Sequence, residues 1–443
     1  MIAAMDNELL VSGFDAADLR GGDHWVADVR RQALADYKRL GLPSLRDEDW
    51  RYTSVKQLAK VGFRPTPLGD PTELAGDAAL PVLADVEGAR LVFVDGVFAP
   101  SLSRVDSLPA GVRVLPLERS LDAVSGVREA LGTIVPGERT FVALNTAFLR
   151  DGALIQVAEG TKVEHPIYLL FISSSAEEPR AAYPRNLIIL EEGAEATVIE
   201  DYTTSGAGSG LHFTNVVTEV ALARGAALDH YKVQRESEEA FHISSLAARQ
   251  AGSSNFSSHC ICTGGGLVRN NVDVTLEGDD AECTLNGLTA IGGKQHVDNQ
   301  TRIVHSSPNA RSWEMYKQVL DGQASAVFNG KIFVAQDAQK TDAKQSNQSL
   351  LLSRDAVINT KPELEIYADD VRCTHGATIG ELDEDALFYL RTRGIDQTTA
   401  TSLLTYAFAS EVISGVRVEP MRMALQRLLF SKLPQEYSPE VLG

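Results

Sequence analysis

The chain carries 443 residues, and its 60 acidic side chains outnumber 41 basic ones to give a formal net charge of −19. Such a balance repels the phosphates of nucleic acids and anionic membrane surfaces, which leaves a protein or a small ion as the expected partner. The four cysteines, Cys260, Cys262, Cys283 and Cys373, form no CxxC pair, so neither a disulfide framework nor a self-contained zinc or thioredoxin-like site is indicated, and reduced thiols are expected.

The opening stretch, MIAAMDNELLVSGFDAADLR, lacks the basic start and long apolar run of a secretory signal, and no window reaches the roughly 18 apolar residues of a membrane span. A soluble, cytoplasmic chain is expected. From His24 to Leu40, Trp25, Val29, Leu34 and Tyr37 recur at about helical spacing, and Gly41 with Pro43 supplies a stop. In SLRDEDWRYTSVKQL, Asp47, Glu48 and Asp49 favour a helix N-terminus while Trp50 and Tyr52 add apolar bulk. That segment suits an anchoring cap with Trp50 in the core, or a docking surface. Residues 65–137 mix short β-like runs with Pro and Gly interruptions, which makes 1–150 a helical and mixed α/β region.

From Ala153 to Ile379 the text becomes short β-branched or apolar runs separated by Gly, Asp, Asn and Ser. Six triplets recur as candidate corners: Glu192-Gly193-Ala194, Arg224-Gly225-Ala226, Glu277-Gly278-Asp279, Pro308-Asn309-Ala310, Arg354-Asp355-Ala356 and His375-Gly376-Ala377. Each contains Gly, Asn or Asp, which tolerate a left-handed backbone. Their irregular spacing, roughly 20 to 50 residues, disfavours a strict hexapeptide solenoid and suits a parallel β-helix with variable corners over 151–380. A Greek-key sandwich is the alternative. After Gly380 the period turns helical: Leu387, Phe388 and Leu390, then Leu403, Leu404, Phe408, Val412 and Ile413, then Met423, Leu425, Leu428 and Leu429. These three helices in 381–443 are expected to cap the open end of the β-body, with partner docking as the alternative.

The chemistry-bearing motifs are sparse. Gly264-Gly265-Gly266, Gly292-Gly293-Lys294 and Gly330-Lys331 lack the spacing and the Ser or Thr of a phosphate loop, so any ATP must come with a partner. There is no G-x-S-x-G elbow and no HExxH, and His165, His212, His230, His242, His296 and His305 read as structural. Cys260, Cys262 and Cys283 alternate with apolar neighbours and read as small core residues. Asp369-Asp370 suits a solvated turn or a cation site, and Lys331, Lys340 and Lys344 with nearby Asn and Gln suit an exposed ladder. Cys373-Thr374-His375 places a thiol and an imidazole on one strand face, with His375 expected to turn outward at the corner it forms with Gly376. Two such ligands cannot close a tetrahedral metal site, so a metal role needs ligands from another chain.

The run GKIFVAQDAQKTDAKQSNQSLLLSRDAVINTKPELEIYADDVRCTHGATIGELDEDALFYLRTRGI, with RDEDWRYTS at Arg46 to Ser54, closely resembles the SufB/SufD family of the Suf iron–sulfur cluster assembly machinery, on its SufD side. The resemblance implies a mainly β, right-handed parallel β-helix flanked by helical regions, acting as a non-enzymatic scaffold that pairs with SufB and binds the ATPase SufC. It places the nascent cluster, or iron, at the interface with SufB and implies His375 as a donor there, with Cys373 in a less defined role and no nucleotide on this chain. It puts SufC on the C-terminal helices, where Leu403, Leu404, Phe408 and Leu428 are the candidates, and allows a SufD homodimer. A SufB-like scaffold, which shares the fold, is the nearest competing reading, and a β-helix enzyme acting on polysaccharide through Asp369 and Asp370 is a more distant one.

Overall fold

The computed structural model describes residues 9–11, 24–66, 83, 85–105, 108–121, 124, 126–174, 178–206 and 211–433. Most of the opening stretch, and the part of the mixed region between 67 and 82, lie outside these residues. The body is a parallel β-solenoid of about eight turns. Alternation sets the two faces of its strands: in Ser325–Val334, Ala326, Phe328, Gly330, Ile332 and Val334 are buried inward while Asn329, Lys331 and Phe333 lie half-buried on the outer face.

Each turn gives one strand to each of two sheets. The first sheet is built from Ala153–Val157, Arg185–Leu190, His212–Leu222, Phe241–Gln250, Leu267–Leu276, His296–His305, Ser325–Val334 and Val357–Ile366. The second contains Arg90–Val94, Ile167–Ser173, Glu195–Thr204, Ala227–Arg235, Asn255–Cys262, Glu282–Ile291, Arg311–Leu320, Asp342–Leu351 and Arg372–Gly380. Neighbours in both sheets run parallel, which rules out the Greek-key alternative.

Five of the six candidate corners are turns between strands. Gly193, Gly225 and Asn309 there have φ of 65°, 68° and 59°, and the alanine after each, Ala194, Ala226 and Ala310, is fully buried. A residue that accepts the left-handed region makes the bend, and the next needs a side chain small enough to fit inside it. The sixth triplet, His375-Gly376-Ala377, is no corner. It lies within the extended strand Arg372–Gly380, paired with Gln345, Ser346 and Asn347.

The two ends of the solenoid differ. At the N-terminal end, antiparallel strands finish both sheets, Val112–Pro116 on Ala153–Val157 and Val97–Phe98 on Arg90–Val94. At the other end, Val357–Ile366 and Arg372–Gly380 are paired on one side only among the described residues. The C-terminal helices do not cap this end. Gln397–Ser414 and Glu419–Lys432 lie on the outer face of the second sheet, where Val412, Ile413, Met421, Leu425 and Leu429 join Tyr231, Val233, Ile261, Leu288 and Val319 in one buried cluster. The outer face offers a broad apolar surface, whereas the end rung offers two strand edges, so the helical stripe is removed from water more completely on the face.

The outer face of the first sheet is covered by helices Thr140–Ala147 and His24–Leu40, through Phe141, Leu144 and Tyr37 packed with Phe213 and Phe241. The RDEDWRYTS segment then straps the remainder of that face. The Arg269 guanidinium lies over the Trp50 ring at 3.8 Å, donates to the Asp49 carbonyl at 2.7 Å and pairs with Asp298 at 2.5 Å. The Thr53 hydroxyl donates to the same Asp298 carboxylate at 2.5 Å.

Candidate functional site at the open end

The last strand pairs in register with Asp342–Leu351, which sets Cys373 on Ala343, His375 on Gln345, Ala377 on Asn347 and Ile379 on Ser349. All four lie on the face toward the solenoid axis. From the facing sheet, Ile358, Thr360, Pro362 and Leu364 hold the equivalent inward positions. Because no rung follows, these residues form the mouth of the solenoid. Its rim is apolar and exposed at Val357, Ile366, Tyr367 and Ile379.

His375 is exposed. The reason is the end of the sheet rather than the outward turn that its glycine neighbour suggests. Cys373 is half-buried against Ile332, Val334, Ala338 and Ala343. Burial pushes its thiol above the ordinary value and the Asp342 carboxylate adds to this, against a hydrogen bond from the Ala343 backbone. A thiol that holds its proton is a poor ligand at neutral pH. Of the two, the exposed imidazole is the readier donor. Among the described residues no group of three or more His, Cys, Asp and Glu side chains could hold a metal ion. Cys373 and His375 supply two donors and no third.

The remaining candidates resolve into ordinary contacts. Asp369 and Asp370 sit in an exposed bend, and Asp370 is ion-paired with Lys340. Lys331 pairs with Glu365 at 2.6 Å and Lys344 approaches Asp342 at 3.7 Å, so the three lysines face carboxylates rather than forming a ladder. The amide stack lies inside the solenoid instead. Asn347 Nδ2 and Ser349 Oγ donate to Gln318 Oε1 at 3.1 and 2.8 Å, and Gln345 Nε2 donates to Glu314 Oε2 at 2.5 Å. Cys260, Cys262 and Cys283 are buried. Beside the first two, Lys232 is also buried and donates to Ser244 Oγ at 2.6 Å and Asn270 Oδ1 at 2.8 Å.

On the C-terminal helices, Leu403, Leu404, Phe408 and Leu428 are each half-buried. Phe408 and Leu428 pack against the sheet-face cluster, and the Phe408 ring receives Lys317 Nζ at 4.5 Å. The larger exposed apolar groups are Phe388 at 68% and Tyr389 at 57%. They lie on Glu384–Thr392, a helix capped by the Asp383 carboxylate and with no buried side chain. Glu314 and Tyr389 are the residues that pattern reading passed over. For Glu314 the signal is inverted, because in Arg311–Leu320 Ser312, Glu314, Tyr316 and Gln318 share the inward face while Trp313 and Met315 lie on the outer one.

Together these features define a β-solenoid whose last strand, unpaired on one edge among the described residues, carries a thiol and an imidazole. Residues 171–408 match the family model described as SUF system FeS cluster assembly, SufBD core domain, and residues 21–169 match that of the SufBD protein N-terminal region. The chain belongs to the SufBD family of iron–sulfur cluster assembly proteins. It is 33% identical to the iron–sulfur cluster assembly protein SufD of Escherichia coli over 91% of this chain and 92% of that protein. Identity is likewise 33% to the SufBD family protein slr0076 of Synechocystis, covering 93% of this chain and 92% of the relative. The SufD of Bacillus subtilis is 24% identical over 92% of this chain and 94% of its own. No helix among the described residues is long and apolar enough to cross a membrane.

Proposed function

We propose that the chain is a non-enzymatic scaffold subunit of a cytoplasmic complex of the SufB–SufC–SufD type. It pairs with a SufB-type chain through the open end of the solenoid and brings His375 to a nascent iron–sulfur cluster, or to iron, held as cargo between the two. The observation that carries this reading is the unpaired end rung bearing His375: strand edges left without partners are pairing templates, and the donor set there is half of what a metal centre requires. Imidazole suits iron as well as zinc, and a partner's thiolate would complete the set. Cys373 is the second donor, available once a bound metal displaces its proton. The half-buried Leu403 and Leu404, with Phe408 and Leu428 at the margin of the contact with the second sheet, are the docking surface for a SufC-type ATPase. Iron–sulfur assembly in the names of the relatives supports the cargo, and a SufD-type chain is favoured over a SufB-like one by the 33% match to the SufD of Escherichia coli.

His375→Ala tests the site in the complex co-purified with its SufB-type and SufC-type partners. The expected result is intact assembly with cluster yield, read by visible absorbance and iron content, reduced on the order of ten-fold or more. Wild-type cluster yield from that variant would overturn the assignment.

A further inference from the structure

We propose that Gln345, held in place by Glu314, is a positioning residue for His375: its side-chain carbonyl accepts an imidazole N–H once a partner covers the open end. The inference rests on the reading of His375 as a cluster donor and concerns how its ring is aimed.

Glu314, Gln345 and His375 occupy one column through the last three rungs of the second sheet, paired residue to residue. Parallel neighbours in register stack at about 4.8 Å, within reach of a single hydrogen bond between long side chains. Glu314 and Gln345 are both buried. The carboxamide turns its NH2 toward Glu314, with a 2.5 Å contact from Nε2 to Oε2, an orientation that is fixed when the carboxyl is ionised, because a carboxylate accepts and cannot donate. The Gln345 carbonyl oxygen is thereby left buried and without a hydrogen-bond partner. Buried acceptors are ordinarily satisfied, and an unsatisfied one beside an incomplete interface points to a donor yet to arrive.

Two further details single out this column. On the facing sheet, a Cβ at Gly330 would lie 2.3 Å from Gln345 Nε2 and 2.8 Å from Phe328 Cζ. Glycine at that position is what lets the amide lie across the interior. Asn347 is the matching case, with its Nδ2 donating to Gln318 and its Oδ1 also buried and unpartnered. The residue stacked on Asn347 is Ala377, which has no donor, whereas the residue stacked on Gln345 is His375. Of these two acceptors, Gln345 is the one in register with a residue that carries a side-chain donor. A neutral imidazole that commits its single N–H to Gln345 keeps the lone pair on its other nitrogen, directed away from the column toward an incoming ligand.

The test uses the full-length chain labelled with 15N-histidine, in complex with its SufB-type partner and free of iron, with His375 resonances assigned by their loss in His375→Gln. One fixed imidazole tautomer is expected in the wild type, and a mixture in Gln345→Met, which keeps the volume and removes the acceptor. Cluster yield of Gln345→Met should fall on the order of ten-fold, with melting temperature and partner binding retained. A mixture of tautomers in the wild-type complex would overturn the proposal, and so would a fixed tautomer with full yield in Gln345→Met. If His375→Ala abolishes the cluster while Gln345→Met does not, the positioning role alone fails. If His375→Ala leaves the cluster intact, the donor reading fails instead. Should Gln345→Met not fold, the wild-type tautomer still decides.

Discussion

Glu314 is a carboxyl enclosed in the last turns of the solenoid, and burial raises its pKa from 4.5 to about 7, against the lowering effect of Thr301 and Gln345. Between those values the folded chain keeps a proton that the unfolded chain releases. The stability this group contributes is therefore complete below pH 4.5 and is lost as pH rises through about 7. At 1.36 kcal/mol per unit, the contribution amounts to about 3 kcal/mol. Glu314→Gln removes the titration while leaving an amide in the column. Denaturant melts of both proteins from pH 5 to 8 should show the wild type losing ground to the variant as pH rises; a difference that does not change with pH would disprove the burial argument. Cys373 makes a contrasting case at the same mouth, since its raised pKa lies above the neutral range and leaves its protonation unchanged there.

Among the elements, the strap formed by RDEDWRYTS depends on one buried pair. Asp298 is buried and accepts from both Arg269 and Thr53. Removing the guanidinium leaves that carboxylate without its counter-charge and exposes the Trp50 face, and breaking a buried pair from one side costs about 3–5 kcal/mol. Arg269→Met should therefore lower stability by about that amount and open residues 44–56 to proteolysis or amide exchange. The exposed pair Lys361–Glu48, at 2.7 Å and also tying the strap to Val357–Ile366, the last strand of the first sheet, is screened by solvent, and Lys361→Ala should leave protection of the strap unchanged. Equal effects from the two variants would show that the strap is held otherwise. That Trp50 anchors this segment is legible from its acidic and aromatic pattern, but its partner Arg269 lies some two hundred residues away and no local signal connects them. The corners are legible for the opposite reason, since a left-handed residue followed by a buried alanine is a strictly local requirement. Local composition also misleads once: His375-Gly376-Ala377 has the residues of a corner, and only pairing with Asp342–Leu351 fixes it as strand. The column beneath His375 exists through register between rungs, so Glu314 and Gln345 carry no mark of it in the text.

For the whole molecule, the contrast between its two ends governs association. The first rungs are finished by antiparallel strands, whereas the last two strands leave parallel edges and an apolar rim at Val357, Tyr367 and Ile379 in water. Without another partner, a second copy of the same end would satisfy these edges, because a two-fold axis makes a patch self-complementary. Net charge opposes that pairing. Each copy carries −19, and the repulsion between two such bodies is screened as the Debye length falls from about 10 Å at 0.1 M salt to about 3 Å at 1 M. Sedimentation of the chain alone should show a dimer fraction that grows with both concentration and salt. Ile379→Lys, which puts a charge on the rim of the last strand, should hold the chain monomeric across the same range with its melting temperature preserved. A wild type that stays monomeric at high salt would mean the edge needs a partner of different shape, and a dimer that survives Ile379→Lys would place the contact elsewhere on the solenoid. A less acidic partner chain meets less of this repulsion, so charge favours pairing with a different chain over self-pairing at low salt.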